Sequence, residues 1–239
     1  PSVAPAAVPA HAGTTVHRQV GLEPASAYRF GGLDATTLPR PKGELLGTFA
    51  TVNDVHFGET EAGLIDGQGE AFSVPPGSTP YPTLMNTDAV AEIAELDPVA
   101  VLVKGDLTTD GSAAQLAEFE ATYRPTFGDR LHFIRGNHES YHHVEVGPSY
   151  ERVELPGALA IMLDTSRDGH PNGDLSAEQL ERLDDEAADS DVPVLVFGHH
   201  QIWLTDEDQR TDRFFGILPD ASEALQALIA HRLNGRGDF

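Results

Sequence analysis

From Gly43 onward the sequence predicts an α/β domain with a largely parallel sheet, on three observations. Short runs rich in Val, Leu and Ile recur at 45–52, 99–103, 131–134, 158–163 and 192–197. Between several of them lie segments with apolar residues at three- and four-residue spacing, the period of a helix with one buried face. Runs that are apolar throughout belong to strands covered on both faces, and such strands alternating with helices build parallel sheets.

The elements follow in chain order. Residues 1–42 are rich in Pro, Ala, Gly and Thr without sustained periodicity, and read as a short irregular N-terminal extension. Within it, Leu22-Glu23-Pro24-Ala25-Ser26-Ala27-Tyr28 resembles the L-x-P-x-x-x-Y stretch that precedes a late strand of fibronectin type III-like sandwiches, where the Tyr forms a tyrosine corner. The extension is then either the tail of an upstream β-sandwich or an exposed turn followed by a packed Tyr. Residues 66–82, with Gly67, Gly69, Pro75, Pro76, Gly77, Pro80 and Pro82, read as a long surface loop, either a lid or an insertion. Helices are expected over 88–96 and 113–123, and a Ser176/Gln179 capping box opens another that runs through Leu183. Asp220 with Glu223 marks a similar start, which places Leu225, Leu228, Ile229 and Leu233 on one face.

Composition bounds the chemistry. The 239 residues suit one large domain, or one domain with part of another, and at 40% hydrophobic and 22% charged they can bury a core. Lys and Arg total 15 against 38 Asp and Glu, a formal charge of −23. Such acidity argues against a general nucleic-acid or anionic-membrane surface, and phosphate chemistry would need imported positive charge. There is no Cys, so disulfides, thiolate catalysis and Cys-bearing metal sites are excluded and any metal must sit on His and carboxylate. No apolar run approaches the length of about 18 residues that spans a bilayer. The chain starts at Pro1 with no secretory signal, so cytoplasm is the default compartment while the true N-terminus is out of view.

Four of the predicted strands end in metal-type ligands. After 45–52 come Asn53-Asp54-Val55-His56, after 99–103 Lys104-Gly105-Asp106, after 131–134 Arg135-Gly136-Asn137-His138-Glu139, and after 192–197 Gly198-His199-His200. Each alone is an ordinary turn or cap residue, but adjacent strands would bring all four tips to one edge. Asp54 and His56 can chelate one ion, Asp106 can touch two through its two oxygens, and Asn137 and His199 offer an oxygen and a nitrogen to a second. Such a mixed shell suits Mn, Fe, Zn, Co or Ni better than Mg or Ca. Two ions about 3.5–4 Å apart clamp the attacking and departing oxygens of a phosphoryl displacement.

The ordered set D-x-H, GD, GNH[DE] and GH resembles the calcineurin-like metallophosphoesterase superfamily from about Leu45 to the chain end. The resemblance implies a four-layer α-β-β-α sandwich with a dinuclear site over the central strands. By position it implies that Asp54 and His56 bind the first metal, Asp106 bridges, and Asn137 and His199 bind the second. His138 would stay off the metals, contact the phosphate and protonate the leaving group. Thr109 stands where purple acid phosphatases carry a Tyr ligand, so an iron–tyrosinate site is not expected. Gly105-Asp106-Leu107-Thr108 is similar to bacterial phosphodiesterases of the cyclic-nucleotide type and unlike the GDxVDRG of Ser/Thr protein phosphatases. The family's closing GHxH motif does not follow His199, which suggests a domain over 43–239 cut at its C-terminal side. His200 and His231 are the available stand-ins.

The expected activity is hydrolysis of a phosphodiester or small phosphomonoester by a hydroxide held between two divalent ions, with a small phosphate ester as partner. The alternative is a non-catalytic binding or scaffold module with an incomplete site. His142 and His143 could reach a substrate phosphate or lie in a solvated loop. Lys104 and Arg135 could orient phosphate or balance carboxylates. Trp203 could line the pocket or pack, and Arg236-Gly237-Asp238 is a chance triplet.

Overall fold

The structure, a computed structural model, describes residues 6–9, 15–18, 21–30, 32–62, 72–202 and 214–235. Trp203, the 236–238 triplet and residues 66–71 of the proposed loop lie outside them. The chain divides into two compact units, Pro1–Leu45 and Leu46–Phe239.

The first unit carries more order than its composition suggests. Strands β1 (Ala6–Pro9) and β2 (Thr15–Arg18) pair antiparallel, as do β3 (Ala27–Phe30) and β4 (Leu33–Thr36). The Tyr28 hydroxyl accepts a 2.7 Å hydrogen bond from the Glu23 backbone N–H, tying the Tyr to the chain five residues upstream.

The second unit holds two three-stranded sheets. In chain order its elements are β5 (Phe49–Val52), β6 (Glu61–Ala62), β7 (Phe72–Ser73), α1 (Tyr81–Glu95), β8 (Ala100–Lys104), α2 (Ala113–Phe127) and β9 (Leu131–Ile134). There follow α3 (Asn137–Tyr141), β10 (Tyr150–Leu155), β11 (Ala158–Leu163), α4 (Ala177–Asp189), β12 (Val194–Gly198) and α5 (Pro219–Gly235). The first sheet, β5-β8-β9, is wholly parallel; the second, β10-β11-β12, pairs β11 with β12 parallel and β10 with β11 antiparallel.

Side-chain alternation explains why β8 and β11 read as unbroken apolar runs. Val101 and Val103 of β8 pack with Phe119, Tyr123 and Phe127 of α2 and Val90 of α1. The alternate residues Ala100 and Leu102 pack with Ala160 and Met162 of β11 and Val153 and Leu155 of β10. From β11, Leu159, Ile161 and Leu163 turn the other way, onto Leu183 of α4 and Ala221 and Leu225 of α5. Three cores in series make the layer order α-β-β-α, and each central strand buries both faces because one meets helices and the other meets the opposite sheet.

Several element boundaries differ from expectation. Helix α1 starts at Tyr81 with Pro80 as its cap, so Pro82 belongs to the first turn, where a missing N–H costs nothing. Helix α2 runs past Tyr123 and carries Pro125. Strand β10, Tyr-Glu-Arg-Val-Glu-Leu, went unpredicted because it alternates apolar with charged residues; its buried positions are Tyr150, Val153 and Leu155. The capping box of α4 is present, with Gln179 N–H donating to Ser176 Oγ and Ser176 N–H donating to Gln179 Oε1. On α5, Leu225 is buried while Leu233 is exposed. Among the described residues no helix is long and apolar enough to cross a membrane.

Candidate metal centre

Parallel pairing puts the carboxyl ends of β5, β8 and β9 side by side, and the Asp54, Asp106 and Asn137 loops leave the sheet together. The ladder continues past the strands. The backbone N–H groups of Asp54, His56 and Phe57 donate to the carbonyls of Gly105, Asp106 and Leu107. In this stretch Asp54, His56 and Asp106 all hold positive φ, at 54°, 46° and 48°. Left-handed backbone costs a non-glycine residue of order 1–2 kcal/mol, and it persists where surrounding structure over-determines it. That three neighbouring acid and imidazole residues share it marks this loop pair as a built site.

The glycines of the motifs are steric necessities. A Cβ on Gly136 would lie 2.2 Å from both the backbone N and Oδ1 of Asp106, and one on Gly105 would lie 2.7 Å from His199 Nδ1. Only a residue without a side chain lets these loops approach so closely.

Asp106 is the centre. Its carboxylate is 5% exposed. Oδ2 lies 3.5 Å from His56 Nε2 and 3.9 Å from His138 Nε2, while Oδ1 lies 3.3 Å from His199 Nε2 and accepts the His138 backbone N–H at 3.0 Å. His56 Nε2 is also 3.9 Å from Asp54 Oδ1, and His199 Nε2 is 2.9 Å from Asn137 Oδ1. The two carboxylate oxygens thus face two different sets of donors. Asp54, His56, Asp106, Asn137, His138 and His199 all line one cleft of about 960 Å³. His56, Asp106 and His138 form one cluster that could hold an ion, and Asp54, Asp106 and His199 form another.

The electrostatics match that geometry. Burial disfavours the His199 cation, but hydrogen bonding to Asp106 and its charge override burial and raise the imidazole to about 9. Burial likewise disfavours the Asp106 carboxylate, yet His199, then His138 and His56, hold it well below the usual carboxylate range. A buried carboxylate ringed by imidazoles is a charge arrangement that cations complete. The donor set, imidazoles with carboxylates and one amide oxygen, is the mixed nitrogen and oxygen shell that transition metals take. His56 Nδ1 is buried and has no hydrogen-bond partner among the described residues.

Neighbouring groups aim these rings. His199 Nδ1–H donates to the Lys104 carbonyl at 2.9 Å, which turns Nε2 toward Asp106. His138 Nδ1–H donates to the Thr109 carbonyl at 2.7 Å, which leaves Nε2 facing the cleft. Sequence reasoning assigned no role to Glu139, which is wholly buried. Its Oε1 accepts from the Thr108 N–H and hydroxyl and its Oε2 from the Gly136 N–H, clamping the Asp106 loop to the Asn137 loop. Asn86 was missed as well. It donates to the Val55 carbonyl, between Asp54 and His56, and accepts from the Tyr123 hydroxyl. The helix expected over 88–96 begins in the structure at Tyr81, so Asn86 lay outside the expected element and carried no signal in the sequence.

The remaining expectations separate cleanly. His200 does not turn toward the cluster. Its Nδ1 accepts from Thr165 Oγ1 at 2.8 Å and its Nε2–H donates to the Pro171 carbonyl at 3.1 Å, and burial lowers it to about 4, so it stays neutral. His231 is exposed on α5. Arg135 bonds Asp164, Glu145 and Asp168, so it balances carboxylates, and Lys104 Nζ lies over the Phe197 ring. His142 lines the cleft and His143 does not. Tyr141, Phe214 and Phe215 line it too, unforeseen because their rings come from separate stretches of chain.

The profile of the calcineurin-like phosphoesterase family matches residues 47–225 of this chain. No curated protein matches it. Among solved structures, the crystal structure of a dimetal phosphatase from Danio rerio is similar in fold, with a TM-score of 0.60 at 16% sequence identity over 79% of this chain and 78% of that one.

Proposed function

Because the chain belongs to the calcineurin-like phosphoesterase family, we propose that it hydrolyses a phosphodiester or small phosphomonoester on a pair of divalent transition-metal ions. The observation that carries this reading is the division of labour at Asp106: one carboxylate oxygen faces His56 and the other faces His199, as a bridging ligand requires. Asp54 and His56 would hold the first ion, Asn137 and His199 the second, and Asp106, which belongs to both clusters, would serve both. When bound, the ions supply an activated water and the positive charge that a phosphoryl group needs.

The chain's own groups supply the rest. His138, with Nδ1 anchored on the Thr109 carbonyl, presents Nε2 to the cleft and gives a proton to the departing oxygen. Glu139 keeps the Asp106 and Asn137 loops in register, and the Lys104 carbonyl keeps His199 in the tautomer that presents Nε2. Among the described residues no Lys or Arg lines the cleft, so there the ions would be the main source of positive charge for the phosphate.

The test is turnover of bis(p-nitrophenyl) phosphate with Mn, together with elemental analysis. Two metals per chain and loss of turnover in Asp106→Asn are expected. A folded protein that binds no metal would favour the scaffold reading, and full Asp106→Asn activity with chelator present would overturn the assignment.

A further inference from the structure

Proton donation by His138 depends on where its ring points, and few contacts aim it. Its backbone N–H donates to Asp106 Oδ1, and its ring meets that of His56 edge to face, with centroids 4.6 Å apart. The side chain is still 32% exposed, so packing alone does not set the ring. The directional contact is the 2.7 Å bond from Nδ1–H to the Thr109 carbonyl. A backbone carbonyl orients an imidazole only as well as the peptide that carries it is held.

That peptide is held from α2. The Thr109 carbonyl and the Asp110 N–H are two ends of one planar unit, so fixing the N–H fixes the carbonyl. Gln115 Oε1 accepts the Asp110 N–H at 3.1 Å and the Thr109 N–H at 3.0 Å, pinning the peptides on both sides of the Thr109 Cα. The Thr109 N–H also reaches the Phe57 carbonyl, whereas no backbone carbonyl accepts the Asp110 N–H among the described residues. Gln115 is the third residue of α2, where a Gln ordinarily reaches back to the N–H of the capping residue. Here the Ser112 N–H donates to Asp110 Oδ1 instead, which leaves the Gln115 oxygen for the turn that precedes the helix. The amide lies against Gly58, two residues after His56: a Cβ there would stand 2.2 Å from Gln115 Nε2 and 2.5 Å from Cδ. Helix α2 is itself anchored in the core through Phe119, Tyr123 and Phe127.

We propose that Gln115 is a positioning residue for His138, fixing through the Thr109–Asp110 peptide the carbonyl that aims the imidazole at the cleft. Thr109 and His138 line the cleft and Gln115 does not, so it acts through that peptide. The proposal rests on the phosphoesterase reading for its kinetic consequence but not for its geometry. Loss of the acceptor frees the peptide to rotate, and His138 then meets the departing oxygen less often. Esters whose leaving group most needs a proton suffer most.

Gln115→Met removes the acceptor at similar side-chain length, and Gln115→Glu keeps one. Long-range proton–nitrogen NMR spectra of the metal-free full chain, with the His138 signals assigned from His138→Ala, read the tautomer. The neutral ring should carry its hydrogen on Nδ1 in the wild type and in Gln115→Glu, and a share should move to Nε2 in Gln115→Met. With Mn bound, kcat of Gln115→Met should fall about tenfold for diphenyl phosphate, whose leaving group is poor, and less than about threefold for bis(p-nitrophenyl) phosphate. KM and bound Mn in Gln115→Met, and both rates of Gln115→Glu, should stay within about twofold of wild type. A wild-type tautomer in Gln115→Met, an equal loss on both esters, a loss accompanied by reduced Mn, or a Glu variant as impaired as the Met variant would overturn the proposal. A wild type that binds Mn and turns over neither ester would count against the phosphoesterase reading, and the spectra would still decide the role of Gln115.

Discussion

Replacing Glu139 tests whether the centre is held together by a buried acceptor between two loops. In Glu139→Ala the Thr108 and Gly136 backbone N–H groups lose their side-chain acceptor in a region closed to solvent. Each orphaned buried donor costs about 1–3 kcal/mol, so the two together predict a loss of about 2–6 kcal/mol, before the Thr108 hydroxyl and the vacated volume are counted. Against a typical total stability of about 5–15 kcal/mol this is a large fraction. Glu139→Gln keeps an oxygen for Thr108 but turns an amide NH₂ toward the Gly136 N–H, so its loss should be near that of one orphaned donor, about 1–3 kcal/mol. Urea unfolding of the metal-free proteins, read by circular dichroism, measures both. The order wild type, then Gln, then Ala is expected, accompanied by metal affinity weakened by about 10–100-fold, the usual cost of losing groups that orient ligands. An Ala variant within about 0.5 kcal/mol of wild type would refute the argument, since surface substitutions lie in that range.

The other predictions concern the approach of the loops and the proton inventory. Gly136→Ala should reduce bound metal and lower turnover at least ~100-fold, because its Cβ would meet Asp106 backbone as well as side chain and the bridging carboxylate must move; wild-type metal content in that variant would contradict it. In the metal-free protein His199 is raised from 6.5 to about 9, so its contribution to stability is complete below pH 6.5 and is lost as pH rises through about 9. Asp106 has the opposite sign, its pKa being depressed, and its contribution is present above the ordinary carboxylate range and lost as pH falls below it. Metal must displace the His199 proton, so titration with Mn at pH 7.5 should release a proton and apparent affinity should rise between pH 6.5 and 9. Calorimetric titration in two buffers of different ionisation enthalpy reads this directly, and no proton release at pH 7.5 would exclude His199 Nε2 as a ligand.

The loops proposed to bear ligands were legible in the sequence because strand ends announce themselves: an apolar run stops and metal-type residues follow within a few positions, beside a Gly in three of the four loops. Asp54, His56, Asp106, Asn137, His138 and His199 all line the one cleft for that reason. Strands β8, β9 and β11 were visible on the same ground, being buried on two faces. Strand β10 was not, since only Tyr150, Val153 and Leu155 of its six residues are buried and its charged positions mask the run. The pairing in the N-terminal unit was hidden too, because strands of four residues are too short to show a sustained period.

Residue order alone therefore specified the α/β alternation, the four loops and their chemistry, since these depend on local pattern. The four layers were implied only by the family resemblance, and the split into two sheets, one of them mixed, came from the tertiary structure. Tertiary structure decided which oxygen of Asp106 faces which imidazole, that Glu139 and Asn86 hold the loops, that His200 faces Thr165 and Pro171, and that Tyr141, Phe214 and Phe215 share the cleft. Those outcomes depend on angstrom-scale contacts between residues tens of positions apart, and a contact of that kind leaves no trace in spacing or composition.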